Sequence, residues 1–106
     1  MMGRSGGMNE AMRQAARLQR KIEQVRAEAK TREVSFATVG EKARATVTCD
    51  GRIKQLVLDP EFVASEGQEM ALDALVAAIN GALDEADKLV ESEVSKATGG
   101  LKLPGM

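Results

Sequence analysis

The 106-residue chain has no His, no Trp and no Tyr, with one Cys, two Phe and two Pro. Without imidazole and with a single thiol, the common His and multi-thiolate metal sites cannot be built within one subunit, and general-base chemistry by His is excluded. A disulfide framework within one subunit is excluded as well. No apolar run approaches the roughly twenty residues that span a bilayer, and the Gly-rich start lacks the apolar core of a secretory signal. These absences predict a soluble, cytoplasmic chain. Gly6-Gly7 and Gly99-Gly100 lack the strand-loop-helix setting of a phosphate-binding loop, and no nucleophile is accompanied by a base. The reading is non-enzymatic, with no cofactor and no metal.

What is present is an uneven distribution of charge. The formal net charge is −1. Over the first thirty-two residues, however, Arg4, Arg13, Arg17, Arg20, Lys21, Arg26, Lys30 and Arg32 face only Glu10, Glu23 and Glu28, a net +5 that leaves −6 for the remainder. A chain that concentrates positive field on one element has the footprint of a polyanion binder. At this length the chain is one domain, residues 1–106, with a thin core that a second copy would help to cover.

From Met8, apolar or small residues recur at Ala11, Ala15, Leu18, Ile22, Val25 and Ala29, alternating three and four, which predicts a long helix with a narrow seam for another helix. Asn9 is its expected N-cap. A period of two follows, with Val34, Phe36 and Thr38 on one strand face and Ala43, Ala45, Val47 and Cys49 on the next. Asp50-Gly51 predicts a tight two-residue hairpin turn with positive φ at both positions, leading into a third strand, Arg52 to Leu58. Asp59-Pro60 suits a cap and first position of a short helical turn containing Phe62 and Val63. About Gln68 to Ala97, a wide stripe of Leu72, Leu75, Val76, Ile79, Ala82, Leu83, Ala86, Leu89, Val90 and Val94 predicts a second long helix covering the sheet. That helix is acidic, and its Gly81 either weakens the middle by about 1 kcal/mol relative to Ala, which the long apolar stripe tolerates, or permits the close approach of a neighbour. The fold class is α+β, α-β-β-β-α with a short helical turn before the last helix. The Gly-rich ends, about 1–7 and 99–106, are expected to be flexible tails.

On a helical wheel of about 100° per residue, Arg13, Arg17, Arg20 and Lys21 fall opposite the seam. They form a cationic stripe suited to successive phosphates, with Gln14 and Gln24 nearby as neutral donors. A merely solvated face that also meets the acidic helix is the competing reading. Arg26, Lys30 and Arg32 lie off the stripe and are assigned to structural pairing. Phe36 and Phe62 occupy apolar positions, so there is little platform for stacking unpaired bases and duplex backbone is the better target. Cys49 reads as a small hydrophobe, and Asp50 and Asp59 as turn residues rather than paired catalytic carboxylates.

The chain resembles the YbaB/EbfC family of small bacterial nucleoid-associated proteins over nearly its full length. The resemblance is carried by the Gly/Met start and the Met8 to Lys30 helix, the Val-rich meander with Asp50-Gly51, and Val57-Leu58-Asp59-Pro60-Glu61-Phe62. It continues through Leu72-Asp73-Ala74-Leu75-Val76-Ala77-Ala78-Ile79-Asn80 and Gly99-Gly100-Leu101-Lys102-Leu103-Pro104-Gly105-Met106. It implies a tweezer-like homodimer whose helical arms bind double-stranded DNA. A nucleoid location, a contribution to nucleoid organisation, gene regulation or repair, and recombination or replication proteins as partners are further implications. It supports Arg13, Arg17, Arg20 and Lys21 as the contact surface, with Arg4 at the start. The acidity of the second long helix is a departure that restricts its contribution to Lys96 and to Lys102 of the tail. The alternative function is a helical protein-interaction module, in which the Met8 to Ala29 seam docks a partner.

Overall fold

Residues sharing a strand face, and small residues sharing a helix face, determine how this chain closes on itself. The computed structural model describes residues 2–38 and 40–99, with side chains for 7–38 and 40–99. Its elements are α1 (Met2–Ala29), β1 (Glu33–Thr38), β2 (Ala43–Thr48), β3 (Ile53–Leu58), α2 (Pro60–Glu66) and α3 (Gln68–Ala97). The predicted α+β order is therefore observed, with the strands forming an antiparallel meander in the order β1-β2-β3. Ala45 stands between Phe36 and Leu56, and Val47 between Val34 and Ile53. Directly opposed residues project to the same side, so these form one apolar face. A bulge at Thr46/Val47 leaves Lys54 as the extra residue between Gln55 and Ile53.

α3 lies over β1 and β2, but the side chains that meet the sheet differ from those expected. Ala71, Ala74, Ala78, Ala82 and Ala86 are buried, whereas Leu72 and Val76 are 51% and 56% exposed. Leu75, Ile79 and Leu83 pack only at the margin of the core. A row of methyl groups lets the helix backbone approach the sheet more closely than leucines would, and the larger side chains are displaced to the flanks. Gly81 shows how close the approach is, since a Cβ added there would collide with the ring of Phe36. Val47 is the largest fully buried side chain, so this core is built mainly of alanine.

Of two local details, one departs from expectation and one agrees with it. The β2–β3 connection is not a two-residue turn, because Asp50 does not have positive φ and only Gly51 does, at 91°. Gly51 donates its N–H to the Thr48 carbonyl at 2.9 Å and Thr48 donates to that of Arg52 at 2.8 Å. The geometry is a type I turn closed by a glycine bulge, the usual three-residue hairpin. At the other end of β3, Asp59 accepts from the Glu61 N–H at 2.9 Å, capping α2 with Pro60 in its first turn as predicted.

α1 begins at Met2, so Asn9 lies inside the helix and is not its cap. The helix is about 42 Å long at 1.5 Å per residue, and its two halves have different surroundings. Ile22 and Ala29 are buried and Leu18 and Val25 half-buried, while Met8, Ala11 and Ala15 are exposed. α1 packs on α3, where Val94 and Thr98 are buried but lie outside the cluster that meets the sheet. Arg32, just after α1, pairs with Glu93 at 2.9 Å. The N-terminal half of α1 thus projects from the body. The molecule measures 78 × 19 × 17 Å with a radius of gyration of 20.9 Å, against about 13 Å for a compact domain of this length.

Candidate nucleic-acid interface

The predicted stripe begins on the projecting half of α1 at Arg13 and runs into the half that packs on α3. Arg13 and Arg17 have side chains 70% and 62% exposed, and Arg20 and Lys21 are exposed in the following turns. Arg13, Arg17 and Arg20 lie on the arc away from Leu18 and Ile22, whereas Lys21 falls beside the seam rather than opposite it; the packing of α1 on α3 leaves all four exposed. Sequence reasoning did not foresee the role of Glu10. Its carboxylate reaches Arg17 at 3.5 Å and Arg13 at 3.8 Å, although spacings of three and seven residues on one helix were a usable signal. Among the described residues, Arg20 and Lys21 have no carboxylate within ion-pair distance and are the unengaged cations of the stripe.

The other predicted residues are placed differently. Arg4 falls in α1, but its side chain lies outside the described residues, as does all of Lys102. Lys96, 73% exposed in the last turn of α3, sits 4.0 Å from Glu93 and is not part of the α1 arc. Of the cations set aside for structural pairing, Arg32 makes its pair with Glu93. Arg26 and Lys30 line a hollow with Asp87 and Glu91 without coming within ion-pair distance of either. That root region is close to charge-balanced, unlike the projecting stripe.

The remaining candidates have structural roles. Burial pushes the Cys49 thiol above its ordinary value against the opposing effect of Arg32, so it is protonated at neutral pH. The Thr48 hydroxyl holds the Asp50 carboxyl below the usual range, and the Glu61 amide, aided by Lys42, does the same for Asp59. Both carboxylates are ionised and tied into turns. Phe36 and Phe62 pack against the core. Among the described residues no group of three or more His, Cys, Asp or Glu side chains is arranged to hold a metal ion, and no helix is long and apolar enough to cross a membrane.

Comparison with known proteins agrees with this architecture. A nucleoid-associated protein of Acetivibrio thermocellus is 39% identical, the match covering 98% of this chain and 93% of that protein. One of Rhodospirillum rubrum is 32% identical over 92% and 91%. In three dimensions the chain superposes on the crystal structure of an uncharacterised Helicobacter pylori protein, HP0035, with a TM-score of 0.59 at 14% identity, covering 89% of this chain and 92% of that one. The YbaB/EbfC DNA-binding family matches residues 3–101, and with a basic helix projecting from an alanine-packed α+β body, the chain belongs to that family.

Proposed function

We propose that the protein binds double-stranded DNA as a homodimer, gripping the phosphate backbone through the projecting halves of its α1 helices. The observation that carries this reading is the exposed set of Arg13, Arg17, Arg20 and Lys21 on α1, the first three turned away from the packing seam and Lys21 flanking it. Cations spaced along an exposed helix meet successive phosphates and release condensed counterions. The names of the relatives support the same reading, and they support a place in the nucleoid. Arg4, Lys96 and Lys102 are further candidate contacts by the family resemblance. With no arrangement of Asn, Gln and Arg dedicated to base edges, sequence preference is modest.

The homodimer is supported by an uncovered apolar surface. On the sheet's helix-facing side, Ile53 and Leu56 of β3 remain 50% and 45% exposed because α3 covers mainly the other two strands. Gly81 against Phe36, and Lys88 beside Val34, mark the α3 flank turned toward β1. At about 100° per residue, Leu72 and Val76 fall on the opposite flank, toward β3. The exposed residues of strand and helix therefore adjoin. An alanine core gains from a second copy covering them.

Titration of a random and a selected duplex across a salt series tests the proposal. Two stripes on one duplex neutralise roughly four to eight phosphates, for a slope of log affinity against log salt of about −4 to −7. A slope near zero, or a preference of many orders of magnitude for one sequence, would refute backbone-dominated recognition. Light scattering tests the assembly, and a monomer at micromolar concentration in moderate salt contradicts it. Failure of any duplex to shift in a gel favours the interaction-module reading.

A further inference from the structure

Even a modest sequence preference needs a side chain that reaches base edges, and the charges on α1 mark where one would stand. At about 100° per residue, Arg20, Arg13, Arg17 and Lys21 span an arc about 100° wide, and Gln24 falls within about 10° of its midline. Asn9, Gln14 and Gln19 are the other neutral amides of α1. They lie about 70° or more from that line. Gln24 is exposed, with Arg13 and Arg20 to one side of it and Arg17 and Lys21 to the other. Arg26 and Lys30, on the far side of the helix, border the hollow shared with Cys49 and α3, so the body lies behind α1 and the Gln24 face is turned away from it. Nε2 of Gln24 donates to Oε1 of Glu28 at 3.4 Å. That uses one of the two amide N–H groups and leaves the other, together with the carbonyl oxygen, for a partner.

We infer that Gln24 reads adenine in the major groove, its amide donating to N7 and accepting from N6–H, while Arg13 and Arg20 hold the phosphates of one strand and Arg17 and Lys21 those of the other. An α-helix about 10–12 Å across enters a groove about 12 Å wide. Cations on its flanks then meet the two backbones, and a side chain on the midline meets base edges. Adenine is the base that presents an acceptor beside a donor there, which is the complement of the free half of the amide. The inference rests on the DNA-binding reading and adds its specificity determinant. One amide per arm discriminates one base pair per arm, so the preference is about tenfold at that position rather than many orders of magnitude.

The test uses the full chain and a random-duplex library. Selection with the wild type is expected to fix adenine at one position, preferred about tenfold over the other bases. Replacing that adenine by 7-deazaadenine removes the N7 acceptor and leaves the minor groove intact, and it should lower wild-type affinity at least threefold. Gln24→Ala, folded by circular dichroism, should bind the two duplexes alike and stay within twofold of the wild type on random duplex. Gln24→Arg should move the preference from adenine to guanine, whose N7 and O6 both accept, a change that a merely structural side chain would not produce. An adenine preference retained by Gln24→Ala overturns the inference, and so does a wild type that binds every duplex equally. Binding without base preference removes only the role of Gln24, whereas no binding to any duplex at any salt removes the DNA-binding reading and this inference with it.

Discussion

α1 and α3 are nearly equal in length, 28 and 30 residues, yet they are put to opposite uses. α3 is acidic and is held along most of its length, first by the sheet and then by α1. α1 is basic, is held through its second half only, and projects the rest. Both show helical apolar periodicity, so amphipathicity alone does not separate a structural helix from an arm. The difference lies in what each seam is made of and what stands opposite it. Four buried alanines, Ala74, Ala78, Ala82 and Ala86, bring α3 onto the sheet, while the open α1 seam reaches past the end of the body.

Glycine substitutions break this comparison most sharply. Gly81→Leu drives a side chain into Phe36, and overpacking of this kind costs about 3 kcal/mol or more. The expected result is a urea midpoint lowered enough to leave a chain with so small a core partly unfolded. Gly7→Ala on the other helix meets nothing within 4 Å and is expected to leave stability unchanged or raise it by up to about 1 kcal/mol. Equal costs at the two sites would contradict the assignment of one helix to the core and the other to solvent.

Charge reversal on the arm separates function from fold. Arg17→Glu with Arg20→Glu is expected to weaken duplex binding by about two orders of magnitude or more at moderate salt. Circular dichroism and elution volume should be unchanged. Undiminished affinity in the folded double variant would remove the stripe from the interface.

Glu10 refines the comparison, because it is the carboxylate that engages Arg13 and Arg17 on the otherwise basic arm. Glu10→Gln should tighten duplex binding roughly three- to tenfold, in line with exposed ion pairs worth up to about 1 kcal/mol each. Fluorescence anisotropy reads this directly, and weaker binding would show that Glu10 instead positions the arginines.

The smallest effect concerns the junction between sheet and α3. The folded state holds the Asp59 carboxyl below its usual value, through the Glu61 amide first and Lys42 second. A depressed folded pKa stabilises the fold above the unfolded value and loses that contribution as pH falls through the folded one. Asp59→Asn should therefore flatten the loss of stability below about pH 4. Thermal melts of both proteins across that range check it, and parallel curves would assign the acid sensitivity elsewhere.

Much of this molecule is legible locally. The period-two segments yielded three strands, Asp59-Pro60 marked the start of α2, and the α3 range was readable from its periodicity. The shared arc of Arg13, Arg17 and Arg20 was readable too, because residue spacing on a helix places side chains on an arc whatever surrounds it, and the same spacing puts Lys21 beside the seam. The start of α1 was not, since glycines between Met2 and Met8 argue against a helix that the structure nevertheless extends through them.

Sequence by itself determined which residues share a face, because backbone geometry imposes periods of two and 3.6. It also determined where charge accumulates. The tertiary structure alone decided which face is buried, assigning the core to the alanines of α3 and the flank to Leu72 and Val76. Hydropathy favours the larger side chains, but the closeness of approach is a property of helix and sheet together. The point where the α1 seam passes from covered to open is likewise set by α3, whose helix ends at Ala97 and so limits how much of α1 it can cover.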